Sequence, residues 1–166
     1  MATITLGSAS SSSTTIANHQ WKAMPTVLEA VIEFAAAATS KGSALAAADV
    51  IEALRVPANS YILHVGVEVL VAVTGASSDT TIDVGTGADV DQWVDGYDLD
   101  AVVAGAFATP VAIATTEPRR YLASADTVDV LFATATTAPT AGKVRVFALI
   151  VNFTQPEFVG LAQIGD

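Results

Sequence analysis

Apolar and polar residues alternate along much of the chain, and a period of two is typical of β-strands. The pattern begins at Thr26, where Val27, Glu29, Val31 and Glu33 alternate with Leu28, Ala30, Ile32 and Phe34. A second strand is predicted over 49–56, ending at Pro57. The longest is predicted over 61–73, with Tyr61, Leu63, Val65, Val67, Val69, Val71 and Val73 on one face. Since this segment exceeds the usual strand length, we expect a bend near Gly66.

The second half of the chain continues the same pattern. Thr80, Ile82 and Val84 predict a short strand with Asp83 facing outward, and 111–114 and 120–123 are brief further candidates. Val128, Val130 and Phe132 then alternate, 136–142 is a turn, and 143–153 is predicted to return as the second strand of a hairpin. Because that last strand is apolar on both faces, we expect it to be central or covered by a partner.

Two segments lack a strand pattern. The Ala-rich stretch 35–48 is predicted to be a loop with room for a short helix capped by Ser43, and 85–100 is predicted to be an acidic loop. The remaining strands number about eight and show no fixed repeat. We therefore expect an all-β fold, an antiparallel β-sandwich or barrel.

The length of 166 residues suits one domain, and only 14% of them are charged while 52% are hydrophobic. A chain this apolar is expected to bury surface against further copies of itself. Residues 1–25 form a Ser-rich N-terminal arm, which is either a disordered leader or a segment that docks on a neighbour through Trp21. The sandwich domain covers 26–166. Its C-terminal contact tail supplies the other predicted interface residues, Phe153, Phe158, Leu161 and Ile164.

Composition argues against several functional classes. The chain has no cysteine, which excludes disulfides and thiolate metal sites. Its formal charge is −10, and 56–118 holds seven Asp and two Glu without Lys or Arg, so nucleic acid is not an expected partner. No apolar run suits a membrane span and the N-terminus lacks the features of a signal peptide, so synthesis in a cytoplasm is expected.

No catalytic motif is recognisable, and we expect a protein that is not an enzyme and carries no cofactor. No Gly-x-Ser-x-Gly turn occurs, and the Gly85-Thr86-Gly87 segment has Val90 where a dinucleotide-binding motif needs glycine. His64 and Glu68 share a strand face but stand about 13 Å apart at the usual rise, too far to share a metal.

The acidic segment offers two further candidates. Asp89, Asp91 and Asp95 could supply carboxylates to a calcium site, although Val94 stands where an EF-hand loop needs glycine. The alternative is a solvated acidic loop that keeps an apolar protein soluble. Trp93 and Tyr97 could form a sugar-stacking ligand platform, or they could plug one end of the sandwich.

Parts of this sequence resemble a known family. Residues 51–59 (IEALRVPAN), the following LHVGVEV of 63–69, the DVGTGADVD of 83–91 and the VDGYD of 94–98 resemble small structural proteins of tailed bacteriophages. The resemblance covers about a third of the chain. It implies a virion component, either a capsid decoration (cement) protein or a tail-associated protein, with a jelly-roll sandwich that is often trimeric.

Three functions follow as hypotheses. The first is a capsid decoration protein that sits as a trimer on the exterior of the phage head, binds the major capsid protein and stabilises the shell. The second is a tail-associated receptor- or carbohydrate-binding module that uses Trp93 and Tyr97. The third is a major structural subunit in its own right.

Overall fold

A computed structural model describes residues 3–5, 25–76, 80–100, 102–108 and 121–153. Its elements in chain order are β1 (Thr3–Thr5), β2 (Thr26–Glu33), α1 (Phe34–Lys41), β3 (Val50–Val56), β4 (Ser60–Thr74), β5 (Thr81–Thr86), β6 (Asp89–Asp98), β7 (Tyr121–Leu122), β8 (Asp126–Thr134) and β9 (Ala141–Asn152). No helix in these ranges is long and apolar enough to cross a membrane.

The strands form two sheets, ordered β1-β3-β8-β5-β6 and β2-β9-β4-β7. From β2 to β5 the chain changes sheet at every step, β5 and β6 then pair as neighbours, and β7 to β9 alternate between the sheets again. This is the strand order of a jelly roll, with four strands of β2–β9 in each sheet. The predicted all-β sandwich is confirmed, and β1 adds one parallel pairing to β3.

The core lies between the two sheets and is built from alternate residues of each strand. On β9 every inward side chain is buried, and these are Val144, Val146, Ala148 and Ile150. On β8 the inward side chains are Val128, Val130 and Phe132, and the Phe132 ring meets Phe34 edge-on at 5.9 Å. Since β9 lies between β2 and β4, its predicted central position is confirmed.

Strand β4 is long as predicted, and its register with β9 shifts at three places. Two shifts lie between Val69 and Thr74, and the third is a bulge between Ile62 and His64. Because of this bulge, Ile62 and Val65 are both buried although they stand three residues apart. The expectation that Leu63 shares a face with Val65 is therefore wrong, and Leu63 is exposed.

Two predictions about connections are also wrong. The acidic segment expected to be a loop contains strand β6, which pairs with β5 through two register shifts. Asp83 lies on the outer side of β5, between the inward Ile82 and Val84, but it is buried there. β8 and β9 do not form a hairpin, because β8 pairs with β3 and β5 while β9 pairs with β2 and β4. The segment between them crosses from one sheet to the other.

The short helix exists, but Ser43 does not cap it. α1 begins directly after β2 and ends at Lys41, so Ser43 lies beyond its C-terminus. Gly42 closes the helix with a φ of 79°, and its N–H donates to the carbonyls of Ala38 and Thr39. The Lys41 ammonium then pairs with the buried Asp49 carboxylate, which ties the helix end to the start of β3.

Candidate interaction surfaces

The sandwich has two unlike outer faces, and the first is apolar. We call the outward side of β2, β9 and β4, with the segment 102–108 beside β4, the apolar face. Its large side chains are Val27, Val31, His64, Phe107, Phe147 and Leu149. Val27 is 59% exposed and Phe107 is 57% exposed. Exposed apolar side chains gathered on one face mark a contact surface more often than scattered ones do.

The centre of the apolar face is the Phe147 ring, which lies across Gly66. A Cβ on Gly66 would stand 2.6 Å from the Phe147 ring, so glycine lets the ring lie in this position. The ring centroid is 5.9 Å from that of His64 and 6.5 Å from that of Phe107, the latter edge-on. His64, which the sequence placed mid-strand, therefore takes part in a ring cluster.

The charges on the apolar face pair with each other. Arg145 donates from Nε to Glu68 at 2.9 Å, and its Nη1 lies 3.4 Å from Glu29. Lys143 lies 3.1 Å from Glu33. Each pair joins neighbouring strands. Glu68 and Glu33 stand directly opposite their partners, and Glu29 stands diagonally across from Arg145. The cations of β9 thus neutralise glutamates of β2 and β4.

The opposite outer face, on β3, β8, β5 and β6, is acidic. Glu52 stands directly across from Asp129, where like charges are destabilising. Burial, opposed by a hydrogen bond to Thr127 and reinforced by the charges of Glu52 and Asp126, raises the pKa of Asp129. Its Oδ1 is buried without a hydrogen-bond partner among the described residues.

Asp83 is the second perturbed carboxyl of the acidic face. It accepts a hydrogen bond of 2.7 Å from the Gly96 N–H. Burial raises its pKa, the Gly96 hydrogen bond opposes this, and the charges of Asp95 and Asp91 add to the rise. Sequence reasoning missed this role because the contact crosses two strands whose register is irregular.

The ligand platform proposed for Trp93 and Tyr97 is not formed. Trp93 is 8% exposed and belongs to the core, so neither of its ring faces is offered to a sugar. Tyr97 is half-buried against the core, and burial raises the pKa of its hydroxyl. The platform is therefore wrong for Trp93, and the alternative, a plug at one end of the sandwich, stays a prediction.

The carboxylates proposed for calcium do not assemble into a site. Asp89, Asp91 and Asp95 are all exposed and lie along one strand rather than around a loop. Within the part of the chain that the structure describes, no three His, Asp or Glu side chains are grouped closely enough to hold a metal ion. A strand spreads its side chains along its length, whereas a calcium site needs oxygens that converge.

Of the predicted interface residues, only Phe153 lies in the described ranges. It is 52% exposed at the end of β9, and its N–H donates to the Asn59 carbonyl at 2.8 Å. The other members of that set lie outside the described residues. They are Trp21, Phe158, Leu161 and Ile164.

A cleft of about 490 Å³ opens between the β5–β6 turn and β7. Its polar lining includes the Ser124 hydroxyl and the carboxylates of Asp89 and Asp126. The described residues that line the cleft include neither histidine nor lysine.

Comparison with solved structures gives three similar chains. One belongs to the cyanophage Pam1 capsid asymmetric unit, with a TM-score of 0.59 and 18% identity over 81% of this chain and 89% of that one. One is from the capsid of Ralstonia phage GP4, with a TM-score of 0.57 and 19% identity over 80% and 86%. A third, from the acidic stable capsid structure of Helicobacter pylori bacteriophage KHP30, has a TM-score of 0.52 and 14% identity over 79% and 90%.

This chain shares their fold. The structural similarity covers most of this chain and most of each of the other chains, and is not confined to one motif. At these identities the sequences have diverged far beyond the range in which function follows from similarity. No protein-family model matches the chain, and no curated protein matches it.

Proposed function

We propose that this protein is a structural component of a phage virion that decorates the outside of the head. The observation that carries the proposal is the jelly-roll order of β2–β9, which three chains from phage capsid structures share along most of their length. The sequence motifs of 51–98 support the same assignment by their resemblance to small virion proteins.

The two outer faces suit a decoration protein. The apolar face, whose charges are internally paired, is suited to burial against copies of the chain or against the major capsid protein. The acidic face is suited to solvent, where its carboxylates repel nucleic acid and other virions. In this proposal the copies associate, as trimers in the expectation from sequence, and the protein acts by binding and not by catalysis.

Binding to the assembled shell would stabilise it by mass action, because a ligand that binds only the assembled state shifts the equilibrium toward that state. The test uses expanded heads assembled without this protein, to which purified protein is added. We expect saturable binding and a higher melting temperature of the heads. Heads that already carry the protein are the matched control and should take up none.

Two outcomes would overturn the proposal. The first is that undecorated heads do not bind the protein and keep their melting temperature, and the second is that heads fail to form at all without it. The second result would favour the third hypothesis, a major structural subunit. The tail-associated binding module has lost its main support, because Trp93 is in the core.

A further inference from the structure

The four edges of the two sheets differ in how well they are protected. Strands at the edge carry unpaired backbone groups and are usually kept short, charged or bulged. β1 and β7 have three and two residues, and β6 is acidic with two register shifts. β2 has eight residues and pairs with β9 without any shift. Among the described strands, β2 is therefore the long and regular edge.

The direction of the backbone groups on β2 follows from the hydrogen bonds of β4. The Val69 N–H donates to the Ala106 carbonyl, and the Gly105 N–H donates to the Val69 carbonyl, so Val69 points away from β9. Because neighbouring residues of a strand point in opposite directions, Glu68 points toward β9. Its partner Arg145 therefore points back toward β4.

The same alternation continues across β9. Next to Arg145, the backbone groups of Val146 point toward β2, where its partner is Ala30. Ala30 thus points toward β9, and the residues on either side of it point to the open edge. The residues with outward backbone groups are Val27, Glu29, Val31 and Glu33.

Those outward residues also carry side chains on the apolar face. Val27 and Val31 are 59% and 50% exposed. Glu29 and Glu33 form ion pairs with Arg145 and Lys143 of β9, on the side away from the open edge. A second strand can therefore approach the edge without meeting two unpaired anions.

We propose that β2 pairs with β2 of a second copy of this chain, antiparallel, about a two-fold axis at Ala30. The sheet then continues from one molecule into the other. Opposed residues exchange backbone hydrogen bonds, and their side chains share one face. This assignment rests on the proposed function for the self-association itself, and it puts a two-fold pair in place of the trimer expected there.

The charges on β2 indicate which register the pair adopts and which strand can pair with β2. With the axis at Ala30, Glu29 lies opposite Val31 of the partner subunit, and Val27 lies opposite Glu33 of the partner subunit. An axis at Glu29 would oppose two copies of Glu29, and an axis at Val31 would oppose Glu29 to Glu33. Like charges directly opposite each other destabilise a sheet, so the register at Ala30 is favoured over these two. Axes at Leu28 and Ile32 also keep like charges apart, but they pair only five and three residues of β2, whereas the axis at Ala30 pairs seven. The strand is thus complementary to itself.

The test uses a charge at position 31, which should have opposite effects on the stability of one molecule and on the association of two. Val31 stands opposite Arg145 within the chain, so Val31→Glu should favour the monomer fold and Val31→Lys should disfavour it. In the proposed pair, position 31 of each molecule lies opposite Glu29 of the partner subunit, so the contact occurs twice. Sedimentation should therefore show association weakened about tenfold or more by Val31→Glu and kept or strengthened by Val31→Lys.

Disulfide cross-linking tests the position of the two-fold axis. The chain has no cysteine, so Ala30→Cys places a single thiol on the two-fold axis, where opposed Cα atoms stand about 4.5 Å apart. Oxidation should give a disulfide-linked dimer. Ala30 is 6% exposed, so Ala148→Cys is the matched control, because Ala148 is also a buried alanine but lies on the central strand β9, and it should link far more slowly.

The results separate this inference from the proposed function. A monomeric wild-type protein, equal effects of the two Val31 variants, or equal linking of the two cysteines would overturn the β2 pairing. A trimer that ignores these variants yet binds heads would uphold decoration and overturn the pairing. If the protein pairs through β2 but binds no heads, the β2 pairing is upheld and decoration is overturned.

Discussion

At the scale of single residues, two glycines show how closely the strands pack. A Cβ on Gly85 would stand 2.0 Å from the Asp89 carbonyl oxygen, which belongs to the backbone of the neighbouring strand. A Cβ on Gly66 would meet only the end of the Phe147 ring, at 2.6 Å. A backbone cannot move aside without breaking the sheet, whereas a surface ring can rotate. The two positions therefore differ in tolerance although both look crowded.

We accordingly expect Gly85→Ala to lower the free energy of unfolding by about 3 kcal/mol or more, and Gly66→Ala by about 1 kcal/mol. Urea unfolding at equilibrium measures both. In the background of Phe147→Ala, the added cost of Gly66→Ala should disappear, while that of Gly85→Ala should remain. Equal costs in that background would contradict the explanation.

At the scale of elements, the β5–β6 pair depends on a bulge held by one side chain. Gly96 has a φ of 64°, which favours glycine, and its N–H is bound by the buried Asp83. The register shifts between Ile82 and Val84, beside this contact. An acceptor at position 83 thus fixes the point at which β6 bends around the edge of the sheet.

Two replacements of Asp83 distinguish its role as a hydrogen-bond acceptor from the effect of its charge. Asp83→Asn keeps an oxygen for Gly96 and removes the repulsion with Asp91 and Asp95, so thermal stability at pH 7 should be equal or higher. Asp83→Ala leaves the Gly96 N–H without its acceptor and should cost about 1–2 kcal/mol. Thermal unfolding of the two variants measures the difference, and an Asn variant as unstable as the Ala variant would refute this role.

At the scale of the whole molecule, the sandwich separates its charge. The apolar face pairs its ions, and the acidic face sets Glu52 against Asp129 and raises the pKa values of Asp83 and Asp129. A carboxyl whose folded pKa lies above its unfolded value holds more protons when folded. Its ionisation therefore destabilises the fold, and stability falls as pH rises from about 3.8 through the folded pKa.

Asp129→Asn removes one such carboxyl. The variant should melt on the order of 1–2 °C above the wild type at pH 7, and the difference should shrink as pH is lowered toward 4. Melting temperatures of both proteins across pH 4–8 test this. A variant that is less stable than the wild type at pH 7 would mean that Asp129 makes a stabilising contact there.

The alternation of side chains was enough to predict most of the fold. A period of two is a local property, because each strand buries every second residue, and this gave the strands that became β2, β3, β4, β8 and β9. The inward set of β9 and its central position were also evident, since its outer side chains are apolar as well. The resemblance to small virion proteins agrees with a fold shared with phage capsid chains.

What the alternation could not supply was any property that depends on two strands at once. The bulge before His64 reverses which residues of β4 are buried, and the change of sheet between β8 and β9 replaces the expected hairpin. The burial of Trp93 and Asp83, and the meeting of Glu52 with Asp129, likewise arise from partners distant in sequence. The sequence by itself thus determined most of the strands and their period of two. Only the tertiary structure decided register, partners and charge contacts, because cross-strand pairing joins residues that no local pattern relates.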